Sequence, residues 1–472
     1  MLLTSKNPTT ARHGSHWRSY RATLPADMAL LAHSPGYAVR AAVLPRRQLA
    51  PFRSAQQRRG LRARGLLDTR ASERTDFCDR EDELSLLTRR LTRRPEQLLV
   101  LTGATNCGKS RLLRVLAADM RGLGRSVFFI NCRRTDFTKP ESYAQELQEL
   151  AASQLRRASA PDARVLLGLS TLLPKLGIKI SLPLPAPVIL DFTVHAPALL
   201  SPGVLPLRDI MRIYSDAISA AGALGKPAPI FIVDEVNRLC EWPGTEESQL
   251  RSLLQFFVGV AKEQNAAHVL LSTSDAFFPA WLERYICRSV YTPLVMGNLP
   301  EKTAREYYRT VLQREHPSST DATNEDVWAR ISGACGGNPG AMNSLAALDS
   351  ERGSLDMALN LLCRGAEDAV SRGLRASSGC GWSHAQYVIV ARKLLAAEAP
   401  EHAVDEDELI RELGQDGVEA LAALLRTNLL GFRGDAPMTA PAAQPRRAFT
   451  PFAAAHVAVW RTRSEISGGL AT

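Results

Sequence analysis

Apolar residues follow two rhythms between residues 97 and 295. One is the short unbroken run. Gln97–Leu101, Ser126–Cys132, Pro229–Val233, His268–Leu271 and Ser289–Val295 each read as a buried strand. The other is helical spacing, over Ser110–Leu116, the stretch carrying Glu146, Leu147 and Leu150, Leu207–Ala221 and Glu247–Glu263. Ahead of the first run, Leu84, Leu87 and Leu91 share one helical face of Phe77–Leu91. Strands alternating with helices predict a parallel sheet covered on both faces. Residues 161–206 break the alternation. They are rich in proline and leucine, and Gly177–Leu182 alternates as a strand does, so the segment reads as an insertion of hairpin type.

Beyond Pro300 the pattern turns helical, over 301–315, 325–334, 339–348 and 354–373, with His316–Glu325 as a surface loop. A break at Ser377–Trp382 opens a last unit with helices over 384–397, 405–413 and 417–427. Two short strands follow, Leu429–Arg433 and Ala448–Phe452, separated by Gly434–Arg447. Three helices and a two-stranded wing predict a winged-helix-like unit. The expected division is an arm over 1–67, an α/β core over 75–296, a helical lid over 297–376 and the winged unit over 377–472.

Composition changes this picture only at the N-terminus. The chain of 472 residues carries a net charge of +10. Residues 1–67 hold Lys6 and eleven arginines against one acid, Asp27, so the rest of the chain is close to neutral. An arm rich in arginine and poor in acids predicts an organelle transit peptide, and hence a matrix or stroma address with the mitochondrion favoured over the plastid. A basic tail that binds nucleic acid is the competing reading. The apolar run Met28–Leu44 is interrupted by His33, Pro35 and Arg40, and no membrane span is expected. The eight cysteines form no C-x-x-C pair, which argues against a structural zinc site and for free thiols.

Candidate chemistry begins at Gly103–Ser110, GATNCGKS, which fits G-x-x-x-x-G-K-[ST] between a strand and a helix N-terminus. Gly103 and Gly108 let the backbone curl so that successive N–H groups point inward around Asn106 and Cys107. Lys109 brings a full charge to the β- and γ-phosphates of a nucleotide, helped by the helix start at Ser110-Arg111. The Ser110 hydroxyl is a Mg²⁺ ligand in this arrangement. Cys107 is either a thiol activated by the helix N-terminus or a small residue that fills the loop.

Ile230–Val233 delivers two acids, Asp234 and Glu235, at the carboxyl end of a strand, beside the phosphate loop in an open parallel sheet. Asp234 is the candidate for the Mg²⁺ shell and Glu235 for activating the attacking water. Thr273 and Ser274 end the next strand as candidate γ-phosphate sensors; a turn or cap built on Ser and Asp is the alternative. Arg288, with Arg284 behind it, is the candidate arginine finger for a neighbour's nucleotide, which implies a homo-oligomer.

Five segments then resemble a family. Phe77-x-Asp79-Arg80-Glu81-x-Glu83-Leu84, GATNCGKS, IFIVDEVNRL, STSD and Gly336-Gly337-Asn338-Pro339-Gly340 stand in the order found in STAND-class P-loop ATPases. The likeness is to the archaeal-type ATPase branch, relatives of AAA+ proteins, and covers residues 75–460. It implies an α/β P-loop NTPase sheet, a helical lid and a winged helix closing over ATP as a slow-hydrolysing switch on a protein client. It also implies that Gly337 and Pro339 touch the nucleotide and that Phe77 and Arg80 border the adenine. Two positions depart from the pattern. Many relatives have glycine where Asp79 stands, and some clades carry arginine where Asp275 stands.

The competing function is a nucleic-acid-binding initiator that uses the winged helix. Charge argues against it: residues 384–465 hold nine Lys/Arg and eleven Asp/Glu, and Gly417–Arg426 offers one arginine. Arg446 and Arg447 in the wing keep that reading open.

Overall fold

The computed structural model describes residues 80–134, 136–158, 190–315, 324–376, 379–397, 402–433, 435–438 and 447–467. The expected transit peptide, Phe77 and the expected hairpin at Gly177–Leu182 lie outside them.

The alternating pattern folds as its periodicity predicts. Five strands, β1 (Leu98–Gly103), β2 (Val127–Asn131), β3 (Ile230–Asp234), β4 (His268–Thr273) and β5 (Tyr291–Met296), form one parallel sheet in the order β2-β3-β4-β1-β5. This is an α/β fold of the P-loop NTPase kind. Successive side chains of each strand point to opposite faces. Leu98, Val100, Phe128, Ile130, Phe231 and Val233 therefore join one core. Leu99, Leu101, Ile230, Ile232 and Leu270 join another. The second core is closed by Leu87 and Leu91 of α1 (Glu81–Thr92) and by Leu112, Leu113 and Leu116 of α2 (Lys109–Gly122). An edge-to-face and stacked group of Phe128, Phe192, Tyr214 and Phe231 fills the first.

One expected helix is cut short. Glu247–Val258 is α-helical, but Gly259–Glu263 widens into a π turn, with Gln264 N–H donating to Gly259 O at 2.9 Å.

The C-terminal half is helical up to the wing. Glu301–Glu315, Glu325–Cys335 and Pro339–Arg352 surround Trp328, Ile331, Met342 and Leu345. The long helix Leu355–Arg375 belongs to two cores, through Ala358 and Leu359 to this one and through Ala366 and Val370 to the next. The next core gathers Tyr387, Leu394, Leu424, Phe449 and Trp460. Its sheet has three antiparallel strands, in the order Val404–Asp405, Ala448–Pro451, Leu430–Arg433. The first of these, and the helix Ala454–Thr462 that buries Trp460, carry no signal in the sequence reading. The strand is two residues long, and the helix opens on an Ala cap with no side-chain hydrogen bond.

Candidate nucleotide site

The loop between β1 and α2 turns through two left-handed residues, Asn106 at φ 61° and Gly108 at φ 106°. A Cβ on Gly103 would lie 2.5 Å from the Met296 carbonyl oxygen, so only glycine lets the loop leave the sheet so close to β5. Lys109 is buried, and its Nζ donates to the carbonyls of Gly103 and Ala104, each at 2.9 Å. Ser110 and Arg111 follow, half-buried, on the first turn of α2. Cys107 is fully buried, with Sγ 3.8 Å from Met296 O and from Lys109 Nζ, as expected of a side chain that fills the loop.

Strand register brings the acids to the same end of the sheet. Leu101 pairs with Ser272, and Ser272 with Asp234, so the three stand in one row just below the loop. Asp234 is 1% exposed, and among the described residues neither of its carboxylate oxygens has a hydrogen-bond partner. The buried Ser272 hydroxyl beside it is likewise unpartnered. A buried carboxylate without a donor is costly, and a cation bound beside it would offset that cost. A carboxylate and hydroxyls suit Mg²⁺, which prefers hard oxygen ligands and keeps several waters. Burial, and then the charge of Asp234, pushes the neighbouring Cys132 thiol upward.

Glu235 sits at φ 59°, a left-handed conformation uncommon outside glycine. Its side chain is buried and held on both oxygens. Arg133 pairs with Oε1 at 2.7 Å, and the Ser274 hydroxyl donates to Oε2 at 3.3 Å. Thr273 Oγ1 donates to Asn237 at 3.1 Å and accepts the Asp275 N–H at 2.9 Å. Asp275 in turn accepts the Phe277 N–H at 2.8 Å, and burial raises its carboxyl. The turn-and-cap reading thus describes Thr273 and Asp275, while Ser274 reaches the acid.

The helical segment after β5 comes to the same loop. Asn338 caps Pro339–Arg352 and donates from Nδ2 to Thr105 O at 3.0 Å. Gly340 N–H donates to Asn106 O at 3.2 Å, and a Cβ there would meet Asn106 Cβ at 2.3 Å. Gly337, at φ 75°, lies against Leu299, which donates its N–H to the Gly337 carbonyl at 2.9 Å. Asn338 and Gly340 make the loop contacts, and Gly337 and Pro339, the residues expected at the nucleotide, flank Asn338 in the same segment. The missed signal is an Asn cap followed by Pro at the first helical position.

Arg80 lies behind the loop. It donates to Cys107 O at 3.2 Å and Gly297 O at 2.8 Å and pairs with Glu83 at 2.6 Å. Arg288 stands just before β5, at the opposite end of the sheet, over the Tyr291 ring and donating to Tyr291 O at 3.0 Å. In the wing, Arg447 is ion-paired with Glu406 and stacks on Phe432; Arg446 lies outside the described residues. Among the described residues every cysteine is a free thiol, no group of His, Cys, Asp and Glu forms a metal-ligand cluster, and no helix is long and apolar enough to cross a membrane.

A family model described as an ATPase domain predominantly from Archaea matches residues 77–345. The chain belongs to this family of P-loop ATPases. It is similar to two uncharacterised ATP-binding proteins of Methanocaldococcus jannaschii. One is 25% identical over 43% of this chain and 52% of that one, the other 23% identical over 54% and 69%. The chain thus spans about half the length of the first of these relatives. Among solved structures, a Walker-type ATPase of Pyrococcus abyssi overlays on 82% of this chain and 96% of its own, at 17% identity and TM-score 0.48. The ORC1 protein of Aeropyrum pernix, solved in complex with DNA, overlays on 84% and 93% at 12% identity and TM-score 0.31. The expected organelle address is overturned here. The family is predominantly archaeal and the relatives come from Methanocaldococcus and Pyrococcus, which points away from a mitochondrial or plastid address. An arginine-rich, acid-poor composition does not distinguish a transit peptide from other basic segments.

Proposed function

We propose that this chain binds Mg²⁺–ATP, hydrolyses it slowly and acts as a nucleotide-dependent switch on a protein partner, in the manner of the STAND class. One observation carries the reading: the Gly336–Gly340 segment grips the phosphate loop through Asn338 and Gly340. Nucleotide on the loop and the seating of the helices from Glu301 onward are then linked, as a switch requires. In this reading residues 75–296 are the core, 297–376 the lid and 377–472 the winged unit.

The geometry supports the following roles. Loop N–H groups and Lys109 neutralise the phosphates, the lysine exchanging its two carbonyl acceptors for phosphate oxygens. Ser110 and Asp234 would hold Mg²⁺, whose charge offsets that of the triphosphate. Glu235 accepts the proton of the attacking water, with Ser274 aiming one of its oxygens. The Arg133 pair occupies the other oxygen, so the base is restrained until Arg133 lets go, which suits slow turnover. Arg288, at the far end of the sheet, would reach a neighbour's nucleotide in a homo-oligomer.

Glu235→Gln tests the reading. Turnover should fall roughly 10²- to 10⁴-fold while ATP stays bound, and Lys109→Ala should lose binding altogether. The trapped Glu235→Gln form should retain a protein partner in affinity capture. Unchanged turnover in both variants would overturn the site. Salt-dependent retention of DNA or RNA by residues 68–472 would favour the initiator reading instead.

A further inference from the structure

The phosphate loop leans on the carboxyl end of β5, and something else holds that end in place. Gly103 lies under the Met296 carbonyl, Cys107 Sγ is 3.8 Å from the same oxygen, and the Met296 Cε methyl is 3.5 Å from where a Cβ on Gly108 would stand. Gly297 O accepts from Arg80, whose same nitrogen reaches Cys107 O. Three of the loop's residues therefore take their positions from Met296 and Gly297.

β5 is the outermost strand of the sheet, with β1 on one side only. On its outer side lies the tip of the wing. Val295 forms a parallel bridge with Pro437, and Met438 N–H donates to Val295 O at 2.8 Å. Pro437 is buried, and Met438 packs against the core that contains Cys107, Leu112, Leu113 and Met296. An outer strand otherwise presents unpaired backbone groups and is free to shift. A proline without an N–H suits such an edge position, since no donor is left over.

We propose that Pro437 and Met438 are positioning residues for the nucleotide: by pinning β5 at Val295 they fix Met296, and through it the phosphate loop. The wing tip is then part of the loop's back support, although it lies 328 residues after Lys109 at Pro437. The inference rests on the assignment of the loop as the ATP site. Its consequence is that any partner pulling on the C-terminal unit changes nucleotide affinity without touching the nucleotide.

The test uses the full chain with Met438→Pro, which removes the donated N–H, Met438→Ala, which removes the packing, and Met438→Leu, which keeps both. Nucleotide affinity by calorimetry should weaken roughly 3- to 30-fold in the first two and recover in the third. Amide hydrogen exchange should quicken at 103–108 and 294–297 in the first two, with unfolding midpoints close to the parent. Parental affinity and exchange in folded Met438→Pro and Met438→Ala would overturn the proposal. If the parent chain binds no nucleotide, the ATP-site assignment fails, and exchange at 103–108 alone decides whether the wing tip supports the loop.

Discussion

The two ends of the parallel sheet treat buried polar groups in opposite ways. At the amino end the polar groups are satisfied. Arg125 donates to Ala228 O and Thr92 O, Asn265 to Pro95 O and Lys262 O, and His268 Nε2 meets Arg93 O at 3.1 Å. At the carboxyl end Asp234 and Ser272 have no partner among the described residues. The same fold thus pairs the polar groups named at one end and leaves Asp234 and Ser272 unpaired at the other, beside the held side chains of Lys109, Glu235 and Thr273. A buried carboxylate without a donor costs stability, and a group retained at such a cost supports the ATP site proposed above.

Substitutions at the two ends should therefore separate function from stability. The largest effect belongs to Asp234→Asn. Mg²⁺-dependent ATP binding should fall about 100-fold while the ligand-free chain gains about 1 kcal/mol, because an unpaired buried charge is removed. Calorimetry and thermal unfolding on the same sample check both halves. A variant that loses binding and stability together breaks the comparison.

The next effect belongs to pH at the satisfied end. His268 is pushed down to about 4 by burial first and by Arg125 second. Between its ordinary 6.5 and about 4 the unfolded chain binds the proton and the folded chain does not. Stability from this group is whole above 6.5 and drains as pH falls through that window, by about 3 kcal/mol in all. Denaturation near pH 7 and near pH 4.5 should show a smaller acid loss in His268→Gln than in the parent, and equal losses would count against it. The smallest effect is Arg125→Ala, expected to cost about 1–2 kcal/mol of stability and to leave kcat and KM alone. A shift in either kinetic constant would mean that the two ends are not independent.

Legibility in the sequence follows the same division. Strands buried on both faces appear as unbroken apolar runs, so β1 to β5 were found with errors of a residue or two at their ends. The phosphate loop was found because its chemistry demands Gly108, Lys109 and Ser110 at fixed spacing. Arg133, Asn338 and Gly340 were missed because each acts through a partner far away in sequence, and nothing local to an arginine or an asparagine names that partner. The same holds for Met438, an ordinary wing residue until the chain folds back onto Val295. The short strand Val404–Asp405 exists only because Ala448 and Phe449 pair with it.

One feature of strand order sets the scale of what this protein can recognise. β4 stands between β1, which carries the lysine loop, and β3, which carries the acids. Neighbouring strands lie about 4.8 Å apart, so the two walls are separated by about 10 Å. That interposed strand is a spacer gauge. In the proposed ATP site, a ligand anchored on Lys109 would touch Glu235 only with a terminal group projecting across it, so the far wall would measure the length of the phosphate tail more than the base.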